Sequence, residues 1–390
     1  MTTIPINNHE IQEWDELNIN TDILRGIYAY GFETPSPIQK KACVPIALGC
    51  DVIAQAQSGT GKTATFIIGT LARIDTTLNE TQAIIISPTR ELTVQINDVL
   101  KGISCMMKQL EIYTLSSGTH INNDIQYLKT TRPHIITACT GRLLDLIKRG
   151  YIHTNHIKLV VIDEVDEMLS SGFREQVFDI LHYLNETTRQ TVLFSATMPN
   201  HIKEIALKIT KNPVIINVKA ETLTLEGIKQ YFVPVENDRQ KYDVIKDLYS
   251  YLSLSQCIIY CNSVNRVQYL YNLLKIDGYP VCIVHSQMEK YDRDINFKDF
   301  KNGKYRILIS TNITSRGIDI QQVSVMINFD FPKCKHNYIH RIGRVGRYGR
   351  KGVAINIITK YDIQSIKEVE AFYSTTIDEL PADVDKILKI

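Results

Sequence analysis

No apolar run in this 390-residue chain approaches the ~18 residues needed to cross a bilayer. The opening MTTIPINNHE lacks the basic-then-apolar layout of a secretory leader. Neither a membrane protein nor a secreted one is expected, and the expected setting is the reducing cytoplasm. The eight cysteines include no CxxC pair, and a structural zinc site needs tighter clustering. Runs such as CIIYC (257–261) suit buried free thiols instead. Charge of one sign is also missing: the net charge is +2. Composition alone therefore does not announce a nucleic-acid binder. Residues 1–227 hold 20 Lys and Arg against 24 Asp and Glu, and residues 228–390 hold 24 against 18. A solvated surface explains that asymmetry as well as an anionic ligand does.

What the chain does have is short Val/Ile runs separated by longer stretches of helical character. DVIAQA (51–56), AIIIS (83–87), HIITAC (134–139), LVVIDE (159–164) and TVLFSAT (191–197) fill the first half. CIIYCN (257–262), VCIVH (281–285), RILIST (306–311), VMINFD (325–330) and VAINIIT (353–359) fill the second. Runs that are apolar throughout suit strands covered on both faces, and the spacings leave room for crossover helices. The expectation is α/β: two domains, residues 1–218 and 228–390, each a mostly parallel sheet flanked by helices, joined by a linker at 219–227.

AQSGTGKT (56–63) follows the first run and fits the phosphate loop G-x-x-x-x-G-K-[ST], with Ala56 in place of the first glycine. Gly59 and Gly61 let the backbone curl so that N–H groups, with those of Gln57, Ser58 and Thr60, point at phosphate oxygens. Lys62 supplies a point charge for the β- and γ-phosphates, and the Thr63 hydroxyl can ligate Mg2+. In KLVVIDEVDEMLS (158–170) a buried strand ends abruptly in carboxylates. Ligands of open α/β sheets lie beyond the carboxyl ends of the strands, where the phosphate loop also stands. Asp163 is placed to hold Mg2+ and Glu164 to orient and deprotonate the attacking water. Acidic capping of the next helix would account for Asp166 and Glu167, though not for the pair at the strand end.

DEVD (163–166) is one letter from the signature of the DEAD-box RNA helicases. LRGIYAYGFETPSPIQ (24–39), SATMP (195–199), LTLEGI (223–228), NYIHRIGR (337–344) and GRKGVAIN (349–356) extend the resemblance over nearly the whole chain. It is most similar to the translation initiation factor 4A subfamily. The resemblance implies two tandem RecA-like domains and an RNA-dependent ATPase. On it, Gln39 reads the adenine edge, Phe32 stacks on the ring, and Trp14 stands where the family carries an isolated aromatic. Ordinary core packing is the other reading of Trp14 and Phe32. Ser195 and Thr197 would bond Asp166 and link the nucleotide to strand separation. Arg344 and Arg347, in HRIGRVGRYGR (340–350), would act as arginine fingers, His340 would contact the DEVD segment, and Asp319 would bond the ribose. RNA contacts are implied for Pro88, Thr89, Arg90, Gly118, Thr140, Gly141, Arg142, Asn262, Arg293, Thr311 and Arg316, mostly to phosphate and sugar. The expected ligands are ATP, Mg2+ and single-stranded or duplex RNA without sequence readout. The expected protein is a monomer, with a helical-repeat scaffold protein of the initiation machinery as the implied partner.

The chain departs from the family pattern at several places. Val165 replaces Ala, and crowding beside the magnesium site would cost ~1–3 kcal/mol. CTGR (139–142) replaces Thr-Pro-Gly-Arg, Thr93 replaces Ala, and Ser117 replaces Gly. Ser286-Gln287 stands for Gly-Asp, and Lys290 for Gln. Most of these lie on the RNA side, so RNA affinity is the more exposed property and ATP hydrolysis the less. Two other functions fit the same motifs: an ATP-gated RNA clamp with little turnover, and a DNA translocase.

Overall fold

The computed structural model divides into two compact units, Met1–Lys219 and Ala220–Ile390. It describes residues 10–116, 120–170, 172–218, 228–251, 256–315, 323–345 and 352–381. The expected linker at 219–227 lies outside them.

The first unit is a seven-stranded sheet: β1 Val52–Gln55, β2 Ala83–Ile86, β3 Ile112–Leu115, β4 Ile135–Ala138, β5 Leu159–Ile162, β6 Gln190–Ser195 and β7 Val214–Asn217. The order is β3-β4-β2-β5-β6-β1-β7 and every pairing is parallel. The uninterrupted apolar runs have a simple cause. Val52 and Ala54 join one core with Trp14, Ile38 and Phe66, while Ile53 joins the other with Leu143, Val177 and Ile202. Each central strand has two faces, each face has its own helical layer, and apolar residues fill most of both. Gly26 shows how tightly one layer packs: a Cβ there would stand 1.8 Å from the Ile103 carbonyl oxygen of the helix Arg90–Ile103.

The second unit repeats the plan with β8 Ile228–Pro234, β9 Gln256–Tyr260, β10 Val281–Val284, β11 Ile307–Ser310, β12 Val323–Asn328, β13 Gly352–Ile358 and β14 Asp378–Glu379. Its order, β10-β11-β9-β12-β13-β8-β14, is that of the first unit strand for strand. Cys257, Ile259, Ile307 and Val325 pack on one side, Ile258, Tyr260, Leu308 and Met326 on the other.

All eight cysteines are free. Cys43, Cys257, Cys261 and Cys282 are buried, and burial pushes the Cys282 thiol up to about 12. Cys105 and Cys334 are exposed, contrary to the buried use expected of the set. No helix of the described residues is long and apolar enough to cross a membrane.

Candidate functional site

At the carboxyl edge of the first sheet, β1, β6 and β5 are neighbours. Strands pair about 4.8 Å apart, so the loops after β1 and β5 are separated by roughly 10 Å, with the end of β6 between them. The loop after β1 reaches the helix Lys62–Arg73 through Gly59 at φ 81° and Gly61 at φ 95°. Thr60 Oγ1 donates to the Gln57 carbonyl at 2.7 Å, and Thr65 Oγ1 to that of Gly61 at 2.9 Å.

A second segment holds this loop from outside. Ser36 and Gln39 form a capping box on the helix Pro37–Ala47, with Ser36 N donating to Gln39 Oε1 at 2.6 Å. Ser36 Oγ donates to the Thr60 carbonyl at 2.7 Å, and Gln39 Nε2 reaches that of Gly61 at 3.5 Å. The φ of Gly61 favours glycine, and a Cβ there would lie 2.7 Å from Gln39 Nε2 and displace that amide. Gln39 is thus fastened to the phosphate loop, and one N–H and one lone pair of its amide remain for a base edge. Phe32 is half-buried and packs against Tyr30 with the rings tilted by 44° and their centroids 5.1 Å apart. Trp14, expected beside the nucleotide, is completely buried in the core and presents no face to a ligand. Sequence reasoning missed Ser36; the S-x-x-Q spacing before a helix was its signal.

Beyond β5, Asp163 Oδ1 accepts the Glu164 backbone N–H at 2.9 Å, and Glu164 takes the left-handed conformation, φ 52° and ψ 52°. Both side chains are buried. Burial, then the neighbouring Glu164, push the Asp163 carboxyl up to about 7 against the pull of Lys62. Asp166 accepts Ser195 Oγ at 2.9 Å and Thr197 Oγ1 at 2.5 Å, the two hydroxyl bonds that the resemblance implies. Val165 does not crowd the carboxylates: it is fully buried and joins the core with Ile162, Met168 and Leu193. Lys62 Nζ and Glu164 Oε2 are buried with no hydrogen-bond partner among the described residues. A buried ammonium and buried carboxylates converging on one loop suit a polyphosphate with its divalent cation, and suit little else.

The raised Asp163 has a pH consequence. The folded state binds a proton there that the unfolded chain, with its carboxyl near 3.9, has released. Stability of the ligand-free protein should therefore fall as pH rises from about 4 to about 7, and Asp163→Asn should flatten that dependence. Melting temperatures of the two proteins across this range measure it; parallel curves would refute the buried, protonated carboxyl.

The same edge continues past β5 to β2 and β4. Pro88 and Thr89 follow β2, and Thr89 Oγ1 caps the helix Arg90–Ile103 by accepting Leu92 N at 3.3 Å. Cys139, Thr140 and Gly141 follow β4 and open the helix Thr140–Lys148. Several implied RNA residues turn inward here. Pro88 and Arg90 are buried, and Thr140 donates to Gln176 Oε1 at 2.5 Å, so it does not supply the hydroxyl lost at Cys139. Arg142 is half-buried and pairs with the buried Asp124. Gly141 is exposed. Gly118 lies outside the described residues.

In the second unit, Asn262 follows β9, Thr311 follows β11, and Arg293 lies on the helix Lys290–Lys301. The unforeseen centre is Arg341, fully buried on the helix Lys335–Ile342. It donates to Asn262 Oδ1 at 2.8 Å, Asn312 Oδ1 at 2.7 Å, Asn328 Oδ1 at 2.9 Å and the Asp330 carbonyl at 2.8 Å. Burial pulls its guanidinium down to about 10. His340 and Arg344 are buried, and Arg344 Nε donates to the His340 carbonyl at 3.2 Å. Arg316, Asp319 and Arg347 lie outside the described residues.

Residues 36–205 match the DEAD/DEAH box helicase family and residues 240–349 the helicase conserved C-terminal domain. The chain belongs to the DEAD-box helicase family. It is 48% identical over 377 residues to the ATP-dependent RNA helicase eIF4A of Lodderomyces elongisporus, covering 97% of this chain and 94% of that one. It is 47% identical over 374 residues to the ATP-dependent RNA helicase fal1 of Schizosaccharomyces pombe, covering 96% and 94%. Among solved structures, S. cerevisiae Dbp5 bound to RNA and ADP BeF3 superposes with a TM-score of 0.90 at 33% identity, covering 97% of this chain and 99% of that one. The superposition on Dbp5 shows that the parallel-sheet units described above are those of a DEAD-box structure.

Proposed function

We propose that this DEAD-box protein is an ATP-dependent RNA helicase that hydrolyses ATP in an RNA-stimulated manner and locally unwinds short RNA duplexes. The observation that carries the reading is one continuous sheet edge. From β1 through β6, β5 and β2 to β4 it presents a phosphate loop, two hydroxyls bonded to Asp166, an acid pair, and two helix N-termini suited to phosphates. ATP lies on residues 56–63 with Gln39 and Phe32 at its base. Asp163 and Thr63 would hold Mg2+, which would supply positive charge against the phosphates. Glu164 orients and deprotonates the attacking water. Arg344 and Arg347 add positive charge at the γ-phosphate, and Asp319 bonds the ribose. His340 engages the DEVD segment. RNA is held by the loops at 88–90 and 140–142, and by Gly118, Asn262, Arg293, Thr311 and Arg316. The setting is translation initiation or related RNA remodelling, which the eIF4A relatives support while the fal1 relative stands at nearly the same identity; the cytoplasmic location and a helical-repeat scaffold as partner are implied by the resemblance alone.

Affinity linkage makes RNA tighten ATP as ATP tightens RNA. ATP turnover titrated with RNA should rise several-fold to a plateau, and single-turnover strand displacement should release the shorter strand of a duplex. Turnover indifferent to RNA contradicts the proposal. RNA held without strand release indicates a clamp, and equal stimulation by DNA a translocase.

A further inference from the structure

Two departures from the family pattern, 46 positions apart in sequence, touch in space. Thr93 Oγ1 stands 3.2 Å from Cys139 Sγ and 2.6 Å from Ser87 Oγ, and it donates to the Thr89 carbonyl at 2.9 Å. A hydroxyl has one proton and two lone pairs. With the proton given to Thr89, the two remaining contacts are acceptances, from the Ser87 hydroxyl and from the Cys139 thiol. Thr93 is fully buried, and so is Ser87. The tie joins the segment after β2 to the segment after β4, neighbouring parallel strands paired Ile86 to Ala138. Each segment opens a helix of nine or more residues at the same edge of the sheet. In the reading above, the first turns of those two helices lie against RNA phosphates.

We propose that Thr93 is a positioning residue for RNA: its hydroxyl, saturated by Ser87, Thr89 and Cys139, fixes the offset between the two helix N-termini that hold neighbouring phosphates. The inference rests on the reading that these loops face RNA. Alanine at 93 could make none of the three bonds, so Thr93 and Cys139 work as a matched pair. The three bonds of Thr93 go to Ser87, Thr89 and Cys139, none of them in the phosphate loop or the acid pair, so ATP handling is expected to be left alone.

The test is RNA titration of ATP turnover by the full chain, with Thr93→Val removing the hydroxyl at nearly constant shape. The RNA concentration for half-maximal turnover should rise about fivefold, the effect of one to two hydrogen bonds. Turnover at saturating RNA and the KM for ATP should stay at the parent values. Thr93→Ser should restore RNA affinity. Cys139→Ala should weaken RNA binding in the parent and add little in the Thr93→Val background. Gly141→Asp separates the inference from its foundation, because Gly141 is exposed and a Cβ there meets only Gln176 Oε1, at 3.8 Å. A carboxylate at that helix N-terminus repels phosphate. If Gly141→Asp weakens RNA binding and Thr93→Val does not, the tie is wrong and the loop reading stands. If Gly141→Asp has no effect, the loop reading falls and the tie falls with it. A Thr93→Val protein that loses saturated turnover or ATP affinity overturns the positioning role in favour of a merely structural one.

Discussion

Glu164→Gln should lower RNA-stimulated ATP turnover by about 10²–10⁴-fold, the range of a lost general base, while ATP and RNA still bind. The backbone explains why this residue has no understudy. Glu164 is held at φ 52° and ψ 52°, a conformation that a residue with a Cβ adopts at a cost of order 1–3 kcal/mol. Its N–H is fixed on Asp163 Oδ1, and its carbonyl accepts Glu167 N at 2.9 Å and Met168 N at 3.0 Å, which starts the turn Val165–Met168. The kink turns the chain sharply at the end of β5. Asp163 and Glu164 therefore leave the sheet in different directions although they are adjacent in sequence. Glutamine keeps the shape and the kink and removes only the proton acceptor. Lys62→Ala should fail differently: Lys62 Nζ is the buried cation of the phosphate loop, so nucleotide affinity should fall along with turnover. Nucleotide titration by fluorescence, run beside ATPase, distinguishes the two. A Glu164→Gln protein with turnover within tenfold of the parent would mean that another group activates water.

The strands that were legible in sequence share a physical property. Ten apolar runs match β1, β2, β4, β5 and β6 and β9 to β13, all of them sandwiched between helical layers. The strands not announced, β3, β7, β8 and β14, are partly exposed along their length, unlike β10, an edge strand that is buried throughout and was legible as VCIVH. In those four, one side of the strand meets solvent or a thin cover, and IYTL, VIIN and IKQYFVP mix polar with apolar residues. The site divides in the same way. The phosphate loop and the acid pair are visible because glycine, lysine and adjacent carboxylates at strand ends have few other uses. The inward turn of Thr140 was not visible, and for Trp14 core packing was one of two readings that sequence left open. A hydroxyl or an indole serves a core as well as a ligand, and only the third dimension supplies Gln176 as a partner for the one and Ile38 and Phe66 as cluster-mates for the other. Arg341 was hidden for a related reason. Four acceptors from three separate segments converge on it, and no spacing in sequence records that.

The identical strand order of the two units gives the second large prediction. Asp330 follows β12 as Asp163 follows β5, and Lys241 stands in the first turn of the helix Gln240–Tyr251 after β8 as Lys62 does after β1. In the second unit the pair is closed on itself. Lys241 Nζ donates to the Phe329 carbonyl at 2.9 Å and lies 3.5 Å from Asp330 Oδ1. Arg266 donates to the same carboxylate at 2.7 and 3.2 Å, and Asn262 N does so at 3.1 Å. Burial alone would raise the Asp330 carboxyl, but the Arg266 bonds and the Asn262 N–H outweigh it and hold the group below its ordinary value. A depressed carboxyl stabilises the fold above the unfolded value of about 3.9, and that contribution is lost as pH falls through the lower folded value. Asp330→Ala removes the more buried of the two carboxylates near Lys241, leaving it Asp238 at 3.6 Å, and takes from Arg266 one of its two carboxylates, so it should cost the second unit about 2–4 kcal/mol at neutral pH. Lys241→Met should cost much less, because the apolar stem keeps its packing and Asp330 keeps Arg266. The single tryptophan makes the assignment direct. Trp14 is buried in the first unit and the second has none, so tryptophan fluorescence follows one unit and far-UV circular dichroism both. In urea, Asp330→Ala should bring on an early loss of ellipticity while the fluorescence midpoint holds. A shift of both together would mean that the two units unfold as one body, and no shift in either would show that the Asp330 carboxylate contributes nothing to holding this sheet edge.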